Sequence, residues 1–336
     1  VNKKVLASTI AAAFLLVALC SGLVGSITQR TKSAAPAETL SYLPASDGLA
    51  LIDVRRMLNE TMPLILSGDP AKLAQANAEI DKFKTRTGID PRSFDRVVVG
   101  TRYTYPTSRV TKLETVAIAH GTFDVNALSE AAKIAAKGKY REEKFSGATI
   151  MIVPVNDRMK LLGVWDLDFG ELAICALAPN SLAIGSLPNV RAAITTGPRG
   201  NRANDDLLAL ANRDPHAVIG FGANLSPELM TNLNVGSDTL AKDVGAIRQV
   251  YGSVGSSEAD VSLLLAARTD SAASAGNLND TVTGLKQLSG LFIGRMAPAK
   301  KVLAQSALDN LKITTRGTEV EIKTRVAATN LAAVIK

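Results

Sequence analysis

Two stretches of this chain follow one plan, and they limit its fold more than any other feature. Leu113-Glu-Thr-Val-Ala-Ile-Ala-His-Gly-Thr-Phe-Asp124 and Ala259-Asp-Val-Ser-Leu-Leu-Leu-Ala-Ala-Arg-Thr-Asp270 each read as a β-strand that stops shortly before an Asp. An alanine-rich amphipathic segment follows each one. The Asp therefore marks a helix start, where a carboxylate accepts from free amides of the first turn. The repetition predicts two copies of one α+β module.

The flanking sequence extends both copies to β-α-β-β-α-β-β with a short closing helix. In the first, Leu43-Pro-Ala-Ser-Asp-Gly48 is a turn-rich lead-in and Leu49–Ile52 a short strand. Asp53 caps a helix that Pro63 bends or ends, and Asp69-Pro70 starts the next, with Leu73, Ala76, Ile80 and Phe83 on one face and Gly88 as its stop. Phe94–Arg102 and Leu113–Ala119 are strands. The Asp124 helix should bury Val125, Leu128, Ala131, Ala132 and Ala135 and end at Gly138. Ala148–Val155 is a strand, Leu172–Leu177 and Ser181–Gly185 form a hairpin around Pro179-Asn180, and 197–204 has linker composition. In the second copy, Ala217–Phe221, the end of 244–254 and Val261–Ala266 are strands. Ala275, Leu278, Val282 and Leu285 make the apolar face of the Asp270 helix, and Pro298 separates it from another. Leu311–Thr315 and Glu319–Val326 alternate around Arg316-Gly317 as a hairpin with one solvated face.

The expected fold is α+β: two similar modules of antiparallel sheet with helices on one face, preceded by an N-terminal apolar helix. Residues 1–27 are a signal peptide or signal-anchor helix, 28–39 a flexible tether, 40–200 the first module and 205–336 the second. The two sheets pair, or the modules pack across a cleft.

The address is written at the N-terminus. Lys3-Lys4 precede an uncharged apolar run from Val5 to Ile27, long enough to cross a bilayer as a helix. It is cleaved, at Val24-Gly-Ser26 or Ala35-Pro-Ala37, or retained as an anchor, or lipidated at Cys20. The third outcome arises because Val17-Ala-Leu-Cys20 resembles a bacterial lipobox, with Leu19 where that pattern has a small residue. All three place the folded part outside the cytoplasm, anchored in the inner membrane facing the periplasm or exported. The expected partners are the membrane, through this helix, and envelope proteins.

Composition narrows function by exclusion. The chain is 46% hydrophobic but 4% aromatic, so its cores are built from Val, Ile, Leu and Ala. A net charge of +7 comes from 38 basic and 31 acidic residues scattered together. With no basic run and no aromatic stacking platform, nucleic acid is not an expected partner. Two cysteines, Cys20 and Cys175, supply neither a disulfide framework nor a cysteine zinc site.

Few residues invite chemistry. Asp157, Asp166, Asp168 and Glu171 gather around Trp165, and paired carboxylates bind metal or act as acid and base. Asp166 and Asp168 are thus the metal candidates. Their spacing lacks the glycine and terminal acid of a calcium loop, which favours a solvated loop, or else one polar face of a strand. His120 ends a strand near Asp124, as an oriented general base could, but the sequence places no nucleophile beside it. His216 sits in an exposed turn. Gly220-Phe-Gly222 lacks the third glycine of a dinucleotide fingerprint, and Ser146-Gly147 and Ser289-Gly290 lack a nucleophile elbow. Arg295, Lys300 and Lys301 around Pro298 could touch anionic lipid headgroups or simply begin a solvated helix.

The Leu43-Pro-Ala-Ser-Asp-Gly48 lead-in, the Thr87-Gly-Ile-Asp-Pro91 turn, the Gly121-Thr-Phe-Asp124 step and the Leu311–Val326 hairpin resemble a family of uncharacterised bacterial exported or membrane-anchored proteins, a domain-of-unknown-function family. The resemblance spans nearly everything after residue 40. It implies a duplicated α+β unit in the cell envelope and assigns no catalytic residue. The expectation is a non-enzymatic extracytoplasmic envelope protein acting by binding or scaffolding, without a cofactor. A periplasmic lipid or small-molecule carrier is the alternative, and a hydrolase using Asp166, Asp168 or His120 the third reading.

Overall fold

A computed structural model describes residues 41–87, 89–107, 110–136, 138–161, 165–199, 201, 204–227, 238–257 and 259–332. The N-terminal helix, the tether, Cys20 and the Gly88 stop lie outside the described residues. The first elements are β1 (Gly48–Asp53), α1 (Val54–Arg56), a π turn (Met57–Thr61), α2 (Met62–Ile65), α3 (Pro70–Thr87), β2 (Phe94–Thr107), β3 (Val110–Gly121) and α4 (Val125–Ala136). Then come β4 (Arg141–Phe145), β5 (Ala148–Leu161), β6 (Trp165–Ala178), β7 (Ser181–Gly185), α5 (Leu187–Thr196), α6 (Asp205–Ala211) and β8 (Ala217–Asn224). The chain continues through α7 (Asp238–Gly245), β9 (Ile247–Ser256), β10 (Asp260–Thr269), α8 (Ala272–Ile293), α9 (Pro298–Asp309), β11 (Lys312–Arg316), β12 (Glu319–Ala327) and α10 (Ala328–Ala332).

The strands form one antiparallel sheet of twelve, in the order β11-β12-β10-β9-β8-β1-β2-β3-β7-β6-β5-β4. Where the sequence left pairing or a cleft open, the two halves pair. β1 bonds to β2 on one edge and to β8 on the other, from Gly48↔Ala223 to Ile52↔Ile219. Outward from this seam the order is β1, β2, β3, β7, β6, β5, β4 on one side and β8, β9, β10, β12, β11 on the other.

Helices cover both faces, not the single face expected. Side chains alternate along a strand, and they sort into opposite layers. Ile52, Ala119, Met151 and Val153 belong to the layer under α1 to α4, where Met57, Ile65, Ile80 and Leu128 are buried. Leu49, Val98, Ile118 and Ile152 belong to the opposite layer, with Val190 of α5 and Leu207 and Leu210 of α6. The physical cause was present in the composition of β5 and β6. Residues 150–153 and 172–175 are buried without a break, and such unbroken apolar runs are what strands covered on both faces require.

Local chemistry fixes the joints. Asp53 accepts from the Arg56 amide at 2.9 Å, Asp69 from that of Lys72 at 3.1 Å, and Asp124 from that of Asn126 at 2.8 Å. At α8 the role shifts by one residue: Ser271 Oγ accepts from the Ser274 amide at 3.1 Å, while Asp270 pairs with Arg248 at 3.0 Å. Pro63 follows the π turn at Met57–Thr61. A proline inside a helix removes one amide and crowds the carbonyl four residues back, and a widened turn relieves both. The lead-in before β1 is clamped by buried Asn204. Its Oδ1 accepts from the Ser46 amide at 3.0 Å, and its Nδ2 donates to the Pro44 carbonyl at 2.9 Å. Two side chains expected in the core are exposed: Val125 by 44%, in the first turn of α4, and Leu285 by 53%.

The glycines of Gly220-Phe-Gly222 also find their reason here. They lie in strand β8, not in a phosphate-binding loop. A Cβ on Gly220 would stand 1.9 Å from the Ala211 carbonyl oxygen, and one on Gly222 would stand 3.0 Å from that of Leu207. The motif lets α6 approach the sheet backbone to backbone. Gly220→Ala should therefore cost about 2–4 kcal/mol, because backbone must move. Gly276→Ala in α8, where an added Cβ meets nothing within 4 Å, should stabilise by about 0.5–1 kcal/mol through helix propensity. Urea denaturation of both variants checks the pair of signs.

Candidate functional site

The structure disperses most of the sequence candidates. Asp166 and Asp168 lie in β6, in register with Lys160 and Arg158 of β5. The solvated loop favoured there is instead a strand, the other reading the sequence offered, with Trp165, Leu167 and Phe169 alternating with Asp166, Asp168 and Gly170. The side chains of Asp166 and Asp168, with that of Asp157, lie outside the described residues. Glu171 pairs with Arg141 at 2.6 Å. His120 sits in β3 between Arg96 and Ser181, and its Nδ1 is buried without a hydrogen-bond partner among the described residues. Asp124 serves the start of α4, so it does not orient that imidazole. The His216 amide donates to Asp214 at 2.9 Å. Cys175 is fully buried, and burial pushes its thiol up to about 11, as for an inert core cysteine.

Two other places stand out. The first is a charged clasp on the α5–α6 face. Tyr251 of β9 is fully buried, with the Arg213 guanidinium 4.9 Å and the Arg268 guanidinium 5.5 Å from its ring centre. Glu319 of β12 binds Arg213 in a fork, at 3.0 and 2.9 Å, and accepts from Arg268 Nε at 2.9 Å. Arg213 also donates to the Tyr251 hydroxyl. Burial alone would raise the Glu319 carboxyl, but hydrogen bonds from Arg213, Tyr251 and Arg268 override it and hold it at about 2. Burial and the neighbouring Glu319 push the Tyr251 phenol well above its usual range. The clasp is stationary: it ties the α6–β8 loop to β9, β10 and β12.

The second place is the corner built by β10, α8 and α9. Ala275, Leu278 and Val282 seat the first half of α8 on Ile247, Ala267 and Val320. The same stripe continues to Leu285, which is exposed, and the far end of α8 is buried again at Ile293. Leu285 and Leu288 are each 53% exposed, Met296 42% and Val302 55%. On β10, Leu263 and Leu265 alternate with buried Val261 and so share a face with it, yet they are 40% and 47% exposed. Lys286 reaches the Leu311 carbonyl at 2.7 Å, on the wall of a cleft of about 510 Å³ lined also by Thr283, Gln287, Leu308 and Asp309. Helical spacing announced the stripe in the sequence.

No family model matches the chain, and no curated protein does. Among solved structures, three crystal forms of the Treponema protein TP0453 are similar to it. Form III has a TM-score of 0.43 at 10% identity over 90% of this chain and 98% of that one. Form I gives 0.41 at 10% over 90% and 98%, and form IV gives 0.43 at 12% over 88% and 95%.

The clasp yields a pH test. Glu319 titrates near 2 when folded, below its ordinary 4.5, so its stabilisation is complete above the ordinary value and is lost as pH falls towards 2. Both arginines are about two-fifths exposed, which limits the effect. Glu319→Gln should cost about 1–3 kcal/mol at pH 7. The gap from the parent should close between pH 4.5 and 2 in urea titrations. A gap independent of pH would mean that the carboxylate charge contributes nothing.

Proposed function

We propose that this chain is a non-enzymatic extracytoplasmic envelope protein that acts by binding or scaffolding, tethered by its N-terminal apolar run. One observation carries the reading. Of eight large apolar side chains exposed among the described residues, six (Leu263, Leu265, Leu285, Leu288, Met296 and Val302) belong to β10, α8, α9 and the turn between the helices. α8 packs on β10 and on α9, and α9 packs on β12, so these elements gather at one end of the sheet. Isolated exposed leucines need no explanation, but a concentration of them marks a surface that something covers.

The same reading takes the two halves as copies of one module, 40–200 and 205–336, in keeping with the matching order of the first five strands on either side of the β1–β8 seam, beyond which β5 and β4 have no counterpart, and with the uncharacterised exported family that the turns resemble. A lipid or small-molecule carrier, the alternative reading, would use an apolar cavity between sheet and helices. A hydrolase, the third reading, would use Asp166, Asp168 or His120; Asp124, close to His120 in sequence, begins a helix.

Thiol labelling tests location and coverage together. Buried Cys175 reacts slowly, and Cys20→Ser removes the other thiol. Ala71→Cys on the exposed face of α3 should react with a membrane-impermeant maleimide in cells whose outer layer is permeable. Leu288→Cys should react fast in purified protein and at least about tenfold more slowly in those cells, because a covering partner excludes the reagent. Protection of both sites until lysis would place the domain in the cytoplasm. Equal rates at residue 288 in cells and in purified protein would leave the corner uncovered. Either result overturns the proposal.

A further inference from the structure

Charge identifies what covers this corner. From Thr281 to Leu308 the chain has no Asp or Glu, although it holds 31 of them in 336 residues. The stretch carries Lys286, Arg295, Lys300 and Lys301. Several cations elsewhere are met by acids: Arg141 by Glu171, Arg191 by Glu143, Arg248 by Asp270, and Arg213 and Arg268 by Glu319. Among the described residues no carboxylate pairs with Arg295, Lys300 or Lys301. They stand at the bend where α8 turns into α9, interleaved with exposed Met296 and Val302 and close in sequence to Leu285 and Leu288.

We infer that the α8–α9 bend is a membrane-seating tip, which lays Leu285, Leu288, Met296 and Val302 into the interface of an anionic bilayer while Arg295, Lys300 and Lys301 meet lipid phosphates. The inference rests on the reading of this corner as a covered surface and adds the identity of the cover. A bilayer fits better than a protein on grounds of size. Even all six exposed side chains, a few hundred Å² of apolar area, fall short of the roughly 800 Å² that one partner contributes to a stable protein interface. For a membrane surface that area is sufficient, because apolar knobs beside lysine and arginine are the composition of interfacial segments. The tip need not hold the protein alone. The Val5–Ile27 run confines the domain near the bilayer, so a weak second contact is made at high effective concentration.

The test uses the full chain carrying Cys20→Ser and Leu288→Cys, labelled with an environment-sensitive fluorophore and reconstituted through its own N-terminal segment. Vesicles are either zwitterionic phosphatidylcholine or the same lipid with about a third phosphatidylglycerol. The tether is present in both, so a difference between them reports the tip. The expected result in anionic vesicles is a blue-shifted emission and at least fivefold stronger quenching by lipid-borne quenchers than in zwitterionic ones. Both effects should fall in about 0.5 M salt, where screening is strong, and with Arg295→Gln, Lys300→Gln and Lys301→Gln combined. A label at Ala71→Cys should not change. Emission unshifted in both vesicle types overturns the inference. If residue 288 is nevertheless protected in cells, the covered-surface reading stands with a protein as the cover. Equal quenching in both compositions also overturns it, since the cations then do nothing.

Discussion

The fold depends on one pairing, the antiparallel register of β1 on β8. Each strand has a partner on its other side, so the seam turns two sheets into one and leaves neither with an open inner edge. An unpaired edge there would expose a row of amides and carbonyls to any passing strand. Two residues of β8 at the seam are glycines for a reason. Gly220 and Gly222 let α6 lie directly on the backbone of β8, and α6 also packs on β1. The helix thus crosses the join like a splint. Asn204, just before α6, completes it by bonding to the segment that leads into β1. The chain from residue 43 to 48 and the chain from 204 to 224 are therefore one structural unit, although more than 150 residues separate Ser46 from Asn204.

Much of this was legible locally, and little of it globally. Asp53, Asp69 and Asp124 act at helix starts as their positions implied, and the Arg316-Gly317 turn closes β11 on β12, with Gly317 at a φ of +58°. Such features depend on neighbours within four residues. What alternation reports is which side of a strand is buried, not which strand lies beside it, so the seam had no signature. Burial on both faces did have one, in the unbroken runs at 150–153 and 172–175. The clasp had almost none. Arg213, Tyr251, Arg268 and Glu319 come from a loop and three strands, and only an arginine within an apolar strand hinted at Arg268. Leu285 is the instructive miss: its spacing from Val282 and Leu278 is right for burial, yet it is exposed while Ile293, about two turns further along the same helix, is buried.

The clasp and the corner show two ways in which a folded chain treats charge. Over Tyr251 the account is closed. Two arginines meet one carboxylate and one ring, and Gln249 accepts from Arg268 at 3.3 Å, so the cluster asks for nothing from outside. Its perturbed groups reflect tight internal bonding, and a perturbed group is a functional clue only where it faces an opening. Glu319 faces its own partners.

At the α8–α9 bend the terms do not balance within the molecule. Apolar side chains at the spacing of a core stripe meet no core, and cations meet no acids. Either excess alone is common on a protein surface, since solvated lysines and single exposed leucines are unremarkable. Their coincidence over 28 residues without one carboxylate is different, because a surface kept for solubility alone mixes both signs and breaks up apolar patches. The missing complement must be apolar and negative at once. Water is neither, and an anionic bilayer interface is both.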